Sequence, residues 1–324
     1  MTTGNDNRSY AAAHFALELS GIEDLGMIRS IEGGGLKAEV MTYQIGGTYE
    51  RWRQLGKPKF EDIKLQIGTA MSAPFFTWIS DFFAGTCERK NGAIVAGDFY
   101  YKERARREFT DALITEMVFP KLDSTDKNTV YMNVTLAVEN IVYKKGDEGK
   151  VLEHKTNPQA QKAWKACNFT FTIDGFDDSC KRVTKIDSFT VKHTLLEYHS
   201  GGRRSAAKTP SAIEFPALSF YLPEADSQKL ADHFKKRGVD GQVPGRLHGM
   251  ITTFDNEKKT VFTLEMFNMD IASIQPDKSD STTEEIKMVK VELYVERMTF
   301  KYAPAYSADE PRPLPPSQPA PAAT

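Results

Sequence analysis

The sequence predicts a mainly β protein: two tandem antiparallel β-barrel or sandwich domains, each with one short α-helix. Three observations carry this expectation. Apolar and polar residues alternate with period 2 in run after run, the mark of half-buried strands. The same runs return in the same order about 155 residues later, which makes the chain a duplication. Each repeat also holds a single stretch of helical spacing between its strands.

The repeat can be followed position by position. FALELSGIED (Phe15 to Asp24) lies on FTFTIDGFDD (Phe169 to Asp178), with Phe15, Leu17 and Leu19 matching Phe169, Phe171 and Ile173. The Gly and Asp after each strand supply a turn, Gly by tolerating positive φ and Asp by bonding its own backbone. LKAEVMTYQIGG (Leu36 to Gly47) then lies on VKHTLLEYHSGG (Val191 to Gly202) at an offset of 155, and FEDIKLQI on FPALSFYL at the same offset. Next comes the helix, PFFTWISDFF (Pro74 to Phe83) in the first repeat and Glu224 to Lys236 in the second. Phe75, Trp78, Ile79 and Phe82 form its apolar face, as do Leu230 and Phe234. Three further strands are expected around Ala93 to Tyr101, Glu108 to Phe119 and Val130 to Tyr143. Their counterparts lie near Gly245 to Asp255, Thr260 to Ile274 and Glu285 to Tyr302. In the closing pair Val138 and Glu139 meet Val295 and Glu296 at an offset of 157. Offsets that drift by so little reflect loop-sized insertions.

The expected organisation is therefore a first domain over 1–145, a charged linker over 146–166, a second domain over 167–302, and a Pro-rich tail over 303–324. That tail holds seven of the sixteen prolines and reads as disordered or polyproline II.

Composition narrows the function. With 42 Lys and Arg against 44 Asp and Glu the chain lacks the basic excess of a nucleic-acid binder. No apolar run reaches the roughly 18 residues that span a bilayer, and the polar N-terminus has no signal-peptide order. Synthesis in the cytoplasm without membrane insertion is the expectation. Cys87, Cys167 and Cys180 form no CxxC pair and read as reduced structural thiols.

No enzyme, cofactor or metal signature emerges. His193 and His199 share a strand face, but six residues along a strand is roughly 20 Å, too far for one metal. Gly33-Gly34-Gly35 lacks the Lys-Ser/Thr and the helix of a phosphate loop, and no GxSxG or HExxH occurs.

Two segments stand out instead. KERARR (Lys102 to Arg107) is expected at a hairpin end, either solvated or meeting a partner. GTYERWRQLGKPK (Gly47 to Lys59) follows the first Gly-Gly pair and places Tyr49, Trp52 and Leu55 at roughly helical spacing in a segment longer than a tight hairpin needs. An exposed aromatic loop of this kind is an interaction surface by default. The second repeat has RRSAAKTPSA (Arg203 to Ala212) in its place, smaller and free of aromatics.

The strand entering a Gly turn, the strand ending Y-x-x-GG, the FEDIKLQIG strand before a Trp-bearing helix and the closing VENI or VERM strand together resemble tail tube proteins of contractile phage-type tails. The resemblance covers Ala11 to Tyr143 well and Asn168 to Tyr302 more loosely, since the second helix has no Trp. It implies barrels of the tail-tube type that ring up six-fold around a channel. Two barrels per chain would give a trimer with pseudo-six-fold symmetry, or a hexamer of double height. The partners implied are further copies of the chain and the tube, baseplate and spike or hub proteins of the same particle. The function implied is a hub, tube-initiating or inner-tube layer. On this reading the interface residues are Tyr43, Tyr49, Trp52 and Arg53, with Tyr198, Arg203 and Arg204 as counterparts, and Arg104, Arg106 and Arg107 in the basic cluster. The alternative is a soluble barrel that binds a ligand in its interior.

Overall fold

The computed structural model describes residues 14–22, 25–44, 46–47, 49, 51–147, 149–152, 164–202, 205–242, 245–276 and 286–303. The middle of the expected linker and the Pro-rich tail from residue 304 lie outside them.

The first repeat contains β1 (Phe15–Leu19), β2 (Gly26–Gly33), β3 (Leu36–Gln44), β4 (Arg51–Phe60), β5 (Ile63–Met71), α1 (Ala73–Phe83), β6 (Lys90–Gly97), β7 (Glu103–Phe119), β8 (Leu122–Asp123), β9 (Met132–Ala137) and β10 (Asn140–Lys145). The second contains β11 (Phe169–Ile173), α2 (Asp177–Cys180), β12 (Lys185–Ile186), β13 (Phe189–Tyr198), β14 (Ala207–Glu214), β15 (Leu218–Pro223), α3 (Gln228–Phe234), β16 (Leu247–Phe254), β17 (Thr260–Pro276), β18 (Met288–Tyr294) and β19 (Arg297–Tyr302). A 3₁₀ turn at Glu224–Asp226 leads into α3, and a π turn at Lys235–Val239 leaves it.

Strand order repeats with the sequence. One sheet runs β1-β6-β7-β9-β5-β2 and the other β11-β16-β17-β18-β15-β12, with β10 on β7 and β19 on β17 in matching places. Backbone specials repeat too. Tyr101 and Lys258 both have positive φ, and so do Asp111 and Asn268, each pair 157 residues apart. The first pair closes equivalent turns. Asp98 accepts the N–H of Tyr100 and Lys102 on one carboxylate oxygen, as Asp255 does those of Glu257 and Lys259. Fixing two backbone donors on a single acceptor holds the strained residue between them in the left-handed region.

The structure redraws three expectations. Gly47–Lys59 is not an aromatic loop of helical spacing: β4 runs through it, antiparallel to β3, with Tyr43 opposite Trp52. Pro58 fits there because β3 and β4 form a two-stranded sheet, and a strand edge tolerates a residue without an N–H. The cluster 102–107 is not a hairpin end, since the Asp98 turn ends at Lys102 and β7 opens at Glu103. Each closing strand is broken at its Val-Glu step, which separates β9 from β10 and β18 from β19.

One apolar core joins the repeats, extending from Leu17 on β1 to Phe300 on β19. The strands bury one face in it, and Phe75, Phe76 and Ile79 of helix α1 are fully enclosed. Trp164, from the expected linker, lies edge-on against Phe262 with centroids 5.2 Å apart. At the junction of the repeats, where Phe119, Trp164, Phe189 and Phe262 meet, packing leaves a void of about 10 Å³.

Candidate assembly interface

Besides the short β8–β12 pairing, the two repeats meet through a joint with three parts. The first is strand addition. Beyond the stretch that β6 covers, β7 takes β13 on its edge, Phe119 opposite Phe189 and Glu116 opposite Lys192. The rings of Phe119 and Phe189 stack at 4.8 Å. The second is a helix seat. Phe76 of α1 stacks on Tyr302 at 3.9 Å, Phe83 on Phe300 at 5.9 Å, and the Ser80 hydroxyl donates to the Phe300 carbonyl at 3.0 Å. At the C-terminal end of α1, the Phe82 carbonyl lies 3.3 Å from His193 Nε2.

The third part is a polar grip in the break between β9 and β10. Glu139, nearly enclosed, pairs with Arg89. Glu139 accepts the Lys208 N–H at 2.8 Å, and Arg89 donates to the Lys208 carbonyl. The pair thus reads one residue of β14 through its backbone alone. Charge-assisted bonds of this kind are about twice as strong as neutral ones.

The residues singled out from sequence fall into two groups. Tyr43, Trp52 and Arg53 lie on the β3–β4 hairpin, Tyr49 sits at its tip, and Tyr198 ends β13; the four aromatic side chains are exposed. Arg203 and Arg204 lie outside the described residues. The basic cluster is engaged within the chain. Arg104 pairs with Asp98 at 2.7 Å, and Arg106 reaches Glu18 at 2.7 Å and the buried Glu103 at 2.8 Å. Arg107 donates to the Gly33 carbonyl at 3.0 Å. Hydrogen bonds that it donates to Glu103 and Glu18 hold the Arg106 guanidinium more firmly protonated than usual. Burial tends to raise the Glu18 carboxyl, but Arg106 and Lys150 outweigh it and keep it below the ordinary range.

Sequence reasoning matched Glu139 to Glu296 but missed its partner. Arg89 has its counterpart in Arg246, again 157 residues on. That second Arg–Glu pair is also formed. Its side chains are 47% and 45% exposed, against 34% and 6% for Arg89 and Glu139. A charge pair recurring at the repeat offset was the available signal.

Among the described residues no group of three or more His, Cys, Asp or Glu side chains is placed to hold a metal. No helix among them is long and apolar enough to cross a membrane. Cys180 is buried, which pushes its thiol up to about 11.

Residues 11–142 match the family of the T4-like virus tail tube protein gp19. Similar solved structures include a PVC sheath-tube complex of an extracellular contractile injection system in its extended state, at 16% identity and a TM-score of 0.38, covering 43% of this chain and 94% of that one. The baseplate of the anti-feeding prophage matches at 11% identity and a TM-score of 0.33, covering 41% and 89%. A mutant form of the Hcp1 protein from the E. coli EAEC 042 pathovar matches at 16% identity and a TM-score of 0.26, covering 42% and 91%. No curated protein matches the chain.

Proposed function

We propose, from the match of residues 11–142 to the family of the T4-like virus tail tube protein gp19, that this protein is a structural component of a contractile, phage-tail-like injection system. Two tube-type units per chain, over 1–145 and 167–302, build part of a ring around the central channel. The ring serves as a hub, tube-initiating or inner-tube layer between tube, baseplate and spike proteins. Its work is mechanical: it holds a rigid hollow passage open when the particle contracts.

The observation that carries this reading is the joint between the repeats. The unit that matches the tail tube family is already docked, through β7, α1 and the Glu139 grip, to a second copy of its own strand order. Such a contact is head-to-tail, and head-to-tail contacts propagate until they close. Three chains then supply the six units of a six-fold ring. Because the β3–β4 and β13–β14 hairpins differ in sequence, the ring would alternate two kinds of hairpin and so show true three-fold symmetry to whatever docks on it.

Mass measurement and electron microscopy of the full chain test this. Three-chain rings with a central hole are expected, and six-chain double rings would keep the function while revising the count. A chain that stays monomeric even beside its tube and baseplate partners would overturn the reading.

A further inference from the structure

We propose that the open Arg246–Glu296 pair is the receptor half of an interchain joint, and that it grips the backbone of Arg53 on β4 of a second copy of this chain. The inference deepens the ring reading by naming the surface that closes it. Its basis is the joint inside the chain, whose parts can be transferred to the free end by the repeat offsets.

Each part of the internal joint has a counterpart left open. Lys208, held by Arg89 and Glu139, corresponds to Arg53 at an offset of 155. Lys208 stands opposite Glu197 in the β13–β14 hairpin, and Arg53 stands opposite Thr42, the counterpart of Glu197, in the β3–β4 hairpin. Since Lys208 turns its N–H and C=O outward to the grip, Arg53 at the same register turns its own to the outer edge. The edge of β7 that receives β13 at 116–119 corresponds to β17 at 273–276. Among the described residues, β17 there pairs only with β18, on its other side. Transferred residue by residue, Ile274 of one chain faces Leu36 of the next.

Burial separates the occupied joint from the open one. Val191 is fully buried under β7, whereas its counterpart Leu36 is 54% exposed. Phe300 is 3% exposed beneath α1, whereas its counterpart Tyr143 on β10 is 55% exposed. Leu36, Val40 and Tyr143 thus leave apolar surface uncovered on the face that the transfer assigns to a neighbour. Exposed apolar groups gathered in this way mark an interaction site. The occupant is a second copy because the receptor it must fit, β17 with Arg246 and Glu296, belongs to the same chain.

Substitutions at Arg53 isolate a backbone contact. Arg53→Ala removes the side chain but keeps the N–H, so any loss beyond it in the proline variant reports the backbone contact. Arg53→Pro removes the donor at a strand edge, where proline is tolerated, and should weaken assembly at least tenfold. Glu296→Ala should weaken it comparably, and the double variant should lose little more than either alone, because both changes break one contact. Thermal unfolding of each variant checks that the fold is kept. Oxidation of a Leu36→Cys and Ile274→Cys double variant should link chains, while neither single change does so beyond the background of the native thiols. Rings that form equally well with Arg53→Pro and Glu296→Ala, or a double-cysteine variant that never links, would overturn this joint and leave the ring reading standing. A chain that forms no ring at all would overturn both.

Discussion

Leu36 and Val191 hold the same position in the two repeats, yet one is 54% exposed and the other, on β13 opposite Met117 of β7, is fully buried. The difference is not in the residues, both aliphatic and both at the head of an alternating strand. It lies in what stands beside them. The same holds for Tyr143 and Phe300, and together they divide the molecule into a finished joint and an unfinished one.

Phe300 anchors the finished joint. Its ring lies against Phe83, Phe119 and Phe262, so it ties the last strand to the core of the first repeat. Phe300→Ala should cost about 3–5 kcal/mol. Chemical denaturation should show one cooperative transition moved to lower denaturant. A variant in which only the second repeat melts early would mean that the shared core does not couple the repeats.

Gly92 and Gly249 are equivalent positions where neighbouring backbone comes too close for a side chain. A Cβ would sit 2.2 Å from the Glu18 carbonyl oxygen at the first and 2.5 Å from that of Thr172 at the second. Gly92→Ala and Gly249→Ala should each destabilise by about 1–3 kcal/mol through overpacking. Thermal unfolding that leaves either variant unchanged would contradict this account of β1 against β6 or β11 against β16.

Trp52 projects from the hairpin with 68% of its surface exposed, so the isolated chain gains little from it. Trp52→Ala should leave the unfolding midpoint nearly unchanged while lowering ring yield measured by mass. Equal assembly would remove this side chain from the interface.

Acid should loosen the β8–β12 contact that links the repeats, where Asp123 lies opposite Lys185. A hydrogen bond from Lys121 is the largest influence on Asp123; with help from Thr125 it outweighs burial and lowers the carboxyl from 3.8 to about 2. The folded state therefore favours the ionised form. The stabilisation is complete above about pH 4 and is lost as pH falls through about 2. Amide exchange at Leu122 and Ile186 should rise over that window, and Asp123→Asn should abolish the acid dependence. An identical acid profile in the variant would remove Asp123 as its source.

Much of this architecture was legible in the residues. Alternation in Phe15 to Leu19 and Phe169 to Ile173, the Trp-bearing helix and the drifting offset of the repeat located most elements and their order. Alternation is a local consequence of one buried face, so a single sequence displays it. The β4 strand was harder to read, because Arg51–Phe60 is exposed along most of its length and a strand without a buried face has no period to show. The partners of the basic cluster were hidden for a related reason. Arg106 reads as a surface charge until Glu18, 88 residues away in the chain, is folded beside it.

Taken alone, the sequence determined that the chain is a duplicated, strand-rich protein and which residues correspond between its copies. Only the tertiary structure decided which member of each pair is covered. Val191 and Leu36 are both aliphatic, and Phe300 and Tyr143 are both aromatic. Burial depends on residues brought from elsewhere, so identical local patterns can end in opposite environments. The Arg246–Glu296 pair shows the same division: its recurrence is written in the sequence, but that it stands open while Arg89–Glu139 is occupied is a fact of packing.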